Sequence, residues 1–274
     1  MRPRVILAVC AFALAWPWPA AAQRPLERAR VLYNAGQYEE AIAMAATAQG
    51  AQAATSAALV AARARLELFR KAGDPMRLAA ARAGLAAVNP DALAPQELVE
   101  WQIGVGSALF LENEPGAAAE IFGTVLPSAR ARLTPAEFDK FLEWWGTATS
   151  QTASLLTGDA RTRQFEKLRD AAAVELERNP LSRPATYWVV VASRGAGDLE
   201  GAWAAAVAGW IRAGAQPAGR QLRADLDTFV TQTLIPERAQ VRAGQRPDAR
   251  TPVAEMAALN EEWRALTSRW TSED

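Results

Sequence analysis

Apolar side chains recur at spacings of three and four along most of this chain, and short turn signals break the runs at intervals suited to helix pairs. In the stretch from Leu26 to Gln49, Ala29, Leu32 and Tyr33 mark one helical face. Gly36 ends that helix and Tyr38-Glu39-Glu40-Ala41-Ile42 opens the next, on which Ala41, Ala45 and Ala48 share a face. The small residues fit a packing need, since antiparallel helices approach closely only where side chains are short. Gly73-Asp74 marks a second turn, followed by Ala79 and Ala83 and a stop at Asn89-Pro90. A third pair carries Gly106 and Leu109 before Asn113, then Ala118 and Phe122. A later pair turns at Gly197-Asp198-Leu199, after the apolar helix from Ala185 to Ala192 and before Ala202 and Ala206.

Helix starts agree. Thr134-Pro135-Ala136-Glu137 is a capping box with proline at the first helical position, where its missing N–H costs nothing. Ala94-Pro95 and Thr251-Pro252 open helices in the same way. Met256, Leu259, Trp263, Leu266 and Trp270 form a continuous stripe on the last helix, opposite Glu261, Glu262, Arg264 and Arg269. The pattern predicts an all-α chain.

The first of these units resembles the tetratricopeptide repeat, a helix–turn–helix motif of about 34 residues. The family's small residue, turn glycine, tyrosine and two alanines fall on Ala29, Gly36, Tyr38, Ala41 and Ala48. The Gly73 unit carries one extra residue after its turn, the third has Asn113 in place of the turn glycine, and Pro135 to Pro180 matches poorly. The resemblance covers about half the chain. It implies a helical-repeat solenoid whose first helices line a groove for a protein or peptide segment. That organisation is a leader (1–22), repeats (23–130), a degenerate helical stretch (131–182), a further unit (183–214), and C-terminal helices with a cap (215–274).

The N-terminus changes the picture of where the chain works. Arg2 and Arg4 precede the apolar run Val5 to Leu14, and Ala20-Ala21-Ala22 supplies small residues before Gln23. This three-part plan predicts a signal peptide cleaved after Ala22, and hence a periplasmic or secreted protein. Pro17 and Pro19 interrupt the segment too early for a membrane span, and no later run reaches the roughly 20 apolar residues that a span requires. The chain's one cysteine, Cys10, follows Val9 inside the apolar run rather than standing at a lipoprotein exit, so it leaves with the leader.

Without Cys10 and with no histidine anywhere, disulfides, Cys/His zinc sites and Cys–His nucleophile pairs are excluded. The 30 basic and 30 acidic residues balance, which argues against a nucleic-acid partner, because phosphate binding needs a basic excess. None of the three lysines, Lys71, Lys140 and Lys167, has a serine three residues upstream. Asp225 and Asp227 diverge around a helix, and Gly104-x-Gly106 sits within a helical pattern rather than a phosphate loop. The reading is therefore a non-catalytic scaffold or adaptor without cofactor or metal.

The repeat resemblance implies that the groove is lined by Leu26, Arg30, Tyr33 and Asn34 in the first unit, by Ile103, Ser107 and Phe110 in the third, and by Tyr187, Val191 and Arg194 in the later one. Arg30 and Arg194 are candidates to pair with a partner carboxylate, solvation being the commoner fate of an arginine. One alternative is a peptidoglycan- or glycan-binding module, suggested by the eight tryptophans that follow the leader, and a further one is a carboxylate-dependent enzyme. Phe138, Phe141 and Trp145 share one stripe, which leaves Trp144 as the aromatic expected at the surface.

Overall fold

The computed structural model describes residues 20–215, 219–245 and 251–271, with side chains from residue 25 onward. Most of the leader, including Cys10, Trp16 and Trp18, lies outside the described residues. So does the side-chain environment of the expected cleavage point, where the first described helix runs through Ala22. Every regular element described is helical. The order is α1 (Ala20–Asn34), α2 (Tyr38–Ala45), α3 (Ala51–Ala72), α4 (Pro75–Ala86), α5 (Pro95–Leu111), α6 (Pro115–Arg132), α7 (Pro135–Ser154), α8 (Gly158–Arg178), α9 (Arg183–Gly195), α10 (Leu199–Gly214), α11 (Gly219–Phe229), α12 (Ile235–Gln245) and α13 (Pro252–Arg269). A π-helical stretch, Val230–Leu234, joins α11 to α12. Pro236 just beyond it has no N–H for the helical ladder, a local cause for the widened turn.

The turns form where local chemistry demands them. Gly36, Gly73 and Gly197 sit at positive φ between paired helices, and Asn113 does the same job at φ 67° between α5 and α6. Asparagine tolerates that left-handed region better than most side chains. Asp74, Thr134, Ser182, Asp198 and Thr251 each cap a helix by accepting a backbone N–H. The central stretch that matches the repeat poorly is a helix pair as well, α7 and α8.

Packing runs chiefly between successive helices, with α1 against α3, α3 against α5, and α7 against α9 as cross-connections. The largest apolar cluster spans α5 to α9 around Phe122, Phe141, Trp145, Phe165 and Trp188. A second joins α9 to α13, with Trp203 edge-on to Trp263 at 5.5 Å between ring centroids. Two smaller clusters join α1 to α3 and α3 to α5. Among the described residues no helix is long and apolar enough to cross a membrane.

Small residues set the closeness of these contacts. A Cβ placed on Gly146 of α7 would stand 2.2 Å from Trp188 Cε2 of α9. Gly146→Ala is therefore expected to destabilise by about 1–3 kcal/mol through forced repacking, a fall of several degrees in a thermal melt. Gly116→Ala in the first turn of α6, with nothing within 4 Å of the added carbon, should leave the melting temperature level or raise it. Equal melting temperatures for the two variants would contradict the packing described.

Candidate functional site

The starts of α5 and α7 read Ala94-Pro95-Gln96-Glu97 and Thr134-Pro135-Ala136-Glu137, so each places a glutamate at its third helical position. Both carboxylates reach back to their own helix start: Glu97 accepts the Ala94 N–H at 3.2 Å and Glu137 the Thr134 N–H at 3.0 Å. The remaining oxygen of each turns inward and meets α1. Arg30 donates to Glu97 at 3.3 Å, and Asn34, one turn further on, donates to Glu137 at 3.3 Å. The same small motif in two helices thus fixes α1 across both.

Further charges complete this inner face. Glu100 of α5 is fully buried between Arg30 at 3.7 Å and Arg63 of α3 at 3.3 Å. Ser56 of α3 donates to Glu97. Glu67, also on α3, accepts the Trp144 indole N–H at 2.9 Å and pairs with Arg70 at 2.7 Å. Lys140 of α7 donates to the Tyr33 carbonyl at 2.6 Å, in the last turn of α1, where positive charge is favoured by the helix dipole. Its ammonium also lies 4.4 Å from the Tyr33 ring centre, with the Arg63 guanidinium 4.7 Å from the same ring.

Burial leaves its mark on these groups. It pushes the Tyr33 hydroxyl well above the usual phenol range, against the pull of Arg63, and raises Tyr38 to about 12. Burial also draws Lys140 down to about 8; Glu67 and Glu143 oppose this while Arg63 and Arg70 reinforce it. For Glu137 burial works upward, but hydrogen bonds from Thr134 and Asn34 together with the Arg63 charge outweigh it, and the carboxyl ends below its ordinary range.

Several residues expected to await a partner are engaged within the chain. Arg30 meets Glu97 and Glu100, and Arg194 of α9 meets Glu237 of α12, so the carboxylates that these two arginines engage belong to this chain. Tyr33 and Ser107 are buried, and Asn34 and Phe110 are half-buried. Trp144 is not at the surface. It is 4 % exposed, held by Glu67, with Phe110 edge-on at 5.7 Å and Arg70 over its ring at 5.0 Å. Trp144 and Trp145 are both buried because α7 packs on two sides, the first facing α3 and α5 and the second α6 and α8. Among the described tryptophans, the large exposed one is Trp270 at the end of α13.

Tyr187 has a different setting. It is half-buried beside a cavity of about 280 Å³ lined by Arg70, Glu143, Thr147, Arg183, Pro184, Tyr187, Trp188, Leu222 and Asp225. Four helices meet here, α3, α7, α9 and α11. A larger hollow of about 530 Å³ near Leu26 is lined by Arg30, Ser56 and Glu97, which already satisfy one another. At the smaller cleft two charged side chains, Glu143 and Arg183, form no side-chain hydrogen bond or ion pair among the described residues, and Arg183 Nε is buried without a partner.

Comparison with family models, curated proteins and solved structures finds no match to this chain. Its chemistry therefore rests on the geometry above. The cleft offers the cations Arg183 and Arg70, the latter paired with Glu67, the anions Glu143 and Asp225, a phenol and an apolar wall of Trp188 and Leu222. Burial raises the Glu143 carboxyl above its ordinary range, with Arg70 and Arg183 opposing and Glu67 adding to the rise. The repeat resemblance named Tyr187 as a groove residue of the later unit, and it lies at this cleft; Glu143, Thr147 and Arg183 drew no attention because no repeat position falls on them.

Folding takes Lys140 from an ordinary 10.5 to about 8, so between those values the unfolded chain carries the extra proton and stability rises with pH. Below pH 8 the amine is charged in both states and its burial cost stays constant; above about pH 10 the raised tyrosines reverse the trend. Urea melts should show stability rising by about 1 kcal/mol from about pH 7.5 to 9.5, the part left after solvent screening of a partly exposed group. Lys140→Met should abolish that rise. An unchanged slope in the variant would contradict the assignment.

Proposed function

We propose that this chain is an exported, non-catalytic recognition module built as a helical-repeat solenoid of the tetratricopeptide type, which receives a protein or peptide partner at the cleft between α3, α7, α9 and α11. The solenoid reading is supported by the run of short-turned helix pairs and by the stacking of alternate helices α1, α3 and α5, and of α7 on α9. The observation that carries the functional reading is the contrast along the inner face. Arg30, Arg63, Arg70, Glu67, Glu97, Glu100 and Glu137 are spent on one another or on neighbouring donors, whereas Glu143 and Arg183 at the cleft form no ion pair among the described residues.

A non-catalytic role is supported by the same contrast. Glu67, Glu97, Glu100 and Glu137 converge, as a carboxylate-dependent enzyme would need, but each is held by arginine, asparagine, serine, threonine or tryptophan. General acid–base work requires a carboxyl group within reach of a substrate proton. The export reading rests on the leader motif, and it sets the compartment in which a partner is to be sought.

The test is photo-crosslinking in cells. Thr147→p-benzoylphenylalanine places a reactive group at the cleft, and Leu155→p-benzoylphenylalanine places one on an exposed turn at the far end of α7. The expected outcome is a discrete adduct from position 147, in the exported fraction, that position 155 does not give. Adducts from neither position, or the same adducts from both, would overturn the reading.

A further inference from the structure

α7 has a second face that the recognition cleft does not use. Glu143 and Thr147 line that cleft. Trp145 and Thr149 each follow by two residues, about 200° further round the helix, and line a separate cavity of about 380 Å³. Here α6 and α8 flank α7. Towards their C-terminal ends the two flanking helices are tied, with Arg130 of α6 donating to the Ala171 carbonyl of α8 at 3.1 Å. Nearer their starts, Gly116, Ala119 and Gly123 on α6 face Gln164 and Lys167 on α8 across the cavity, and the small residues leave room beside Trp145.

Donors gather around this space without acceptors. The indoles of Trp101, Trp144 and Trp263 donate to the Leu85 carbonyl, Glu67 and Asp227, but the Trp145 N–H meets no acceptor among the described residues. Thr147 and Thr152 spend their hydroxyls on carbonyls four residues back, at 2.7 and 2.9 Å. The hydroxyl of Thr149, a residue 2 % exposed, is enclosed and has no partner. Lys167 forms no ion pair or hydrogen bond among the described residues. A Cβ placed on Gly123 would stand 3.1 Å from Lys167 Nζ and 3.9 Å from Trp145 Nε1, so the two nitrogens lie no more than 7.0 Å apart, across a position that glycine leaves open.

We propose that this cavity is a binding site for a carboxylate, one oxygen accepting from the Lys167 ammonium and the other from the Trp145 indole, with the Thr149 hydroxyl as a third donor. An ammonium and an indole N–H donate and accept nothing, so the group that joins them must be an acceptor. With charge-assisted hydrogen bonds of about 2.8 Å at either end, the two oxygens of one carboxylate reach donors at that separation. Glu120, exposed at the rim of the same cavity, repels a doubly charged oxyanion and so favours a carboxylate over phosphate. The volume of about 380 Å³ lies within the range of small-molecule pockets, roughly 300–1,000 Å³, and far exceeds the roughly 30 Å³ of a single water. The site is separate from the recognition cleft and does not depend on it.

The experiment adds butyrate, butyramide, acetyl-dialanine and inorganic phosphate to the full-length protein, with affinities from calorimetry and the tryptophan indole N–H resonances followed by nitrogen-15 labelling. The resonance that is absent from Trp145→Phe is expected to move saturably with butyrate and not with butyramide. Lys167→Met, at an exposed position, and Gly123→Ala, which sets a methyl group between the donors, should each weaken butyrate binding tenfold or more at an unchanged melting temperature. Acetyl-dialanine separates two sources of the same group: tighter binding than butyrate assigns the site to a peptide chain end, and weaker binding to a free organic acid. Absence of binding by both carboxylates, equal binding of butyramide, phosphate as tight as butyrate, or full butyrate affinity in Lys167→Met overturns the proposal. The calorimetric outcomes hold whether or not Trp145→Phe folds.

Discussion

Putting carboxylates inside a helical array is costly unless each finds a cation or donor, and the inner face of this protein is organised by that requirement. Glu97, Glu100, Glu137 and Glu67 are each at most 8 % exposed and are answered by Arg30, Arg63, Asn34 and Trp144 from other helices, with Arg70 pairing Glu67 from the next turn of α3. A buried ion pair adds little net stability compared with apolar packing, whereas loss of one partner costs about 3–5 kcal/mol. Its main consequence is geometric. Few arrangements of α1, α3, α5 and α7 satisfy every group at once, so the network fixes how these helices face one another while the apolar clusters behind them supply the stability.

That requirement also decides which parts of the surface are free for recognition. On α1, α3, α5 and α7, Arg30, Asn34, Arg63, Glu67, Glu97, Glu100 and Glu137 engage one another or neighbouring donors. Arg194 and Arg238 continue the pairing on α9 and α12, through Glu237 and Glu200, but Glu143 of α7 and Arg183 of α9 line a shared cavity without pairing. This exception coincides with the arrival of α11 across from α9, which adds Leu222 and Asp225 as a fourth wall. Closure and opening are thus two outcomes of one design, set by whether a buried charge finds its counterpart inside the chain.

The elements were legible in the sequence because their causes are local. Gly36, Gly73-Asp74, Asn113, the Thr134 box and Gly197-Asp198 each act through a backbone conformation or a cap within three residues, and each lies at a helix boundary. The inward network was not legible, since Arg30 meets Glu97 and Asn34 meets Glu137 across 67 and 103 residues. Trp144 shows why reasoning from one helix is insufficient. Adjacent positions lie about 100° apart on a helix, so exposure of one follows from burial of the other only if a single face is covered; α7 is covered on two. Glu143 and Arg183 escaped notice for the same reason, because a cleft made by four helices has no signature in any one of them.

The central claim is that the buried carboxylates of α3, α5 and α7 are held by partners within the chain, whereas the side chains at the cleft between α3, α7, α9 and α11 stay accessible. Single cysteines test it directly, introduced into a Cys10→Ser background that leaves the chain without any other thiol. The measurement is the maleimide labelling rate at Ser107→Cys, 3 % exposed in α5, against that at Thr147→Cys in the cleft. The account predicts rapid labelling at position 147 in the native protein and labelling at position 107 only once denaturant is added. Equal rates at the two positions under native conditions would contradict it.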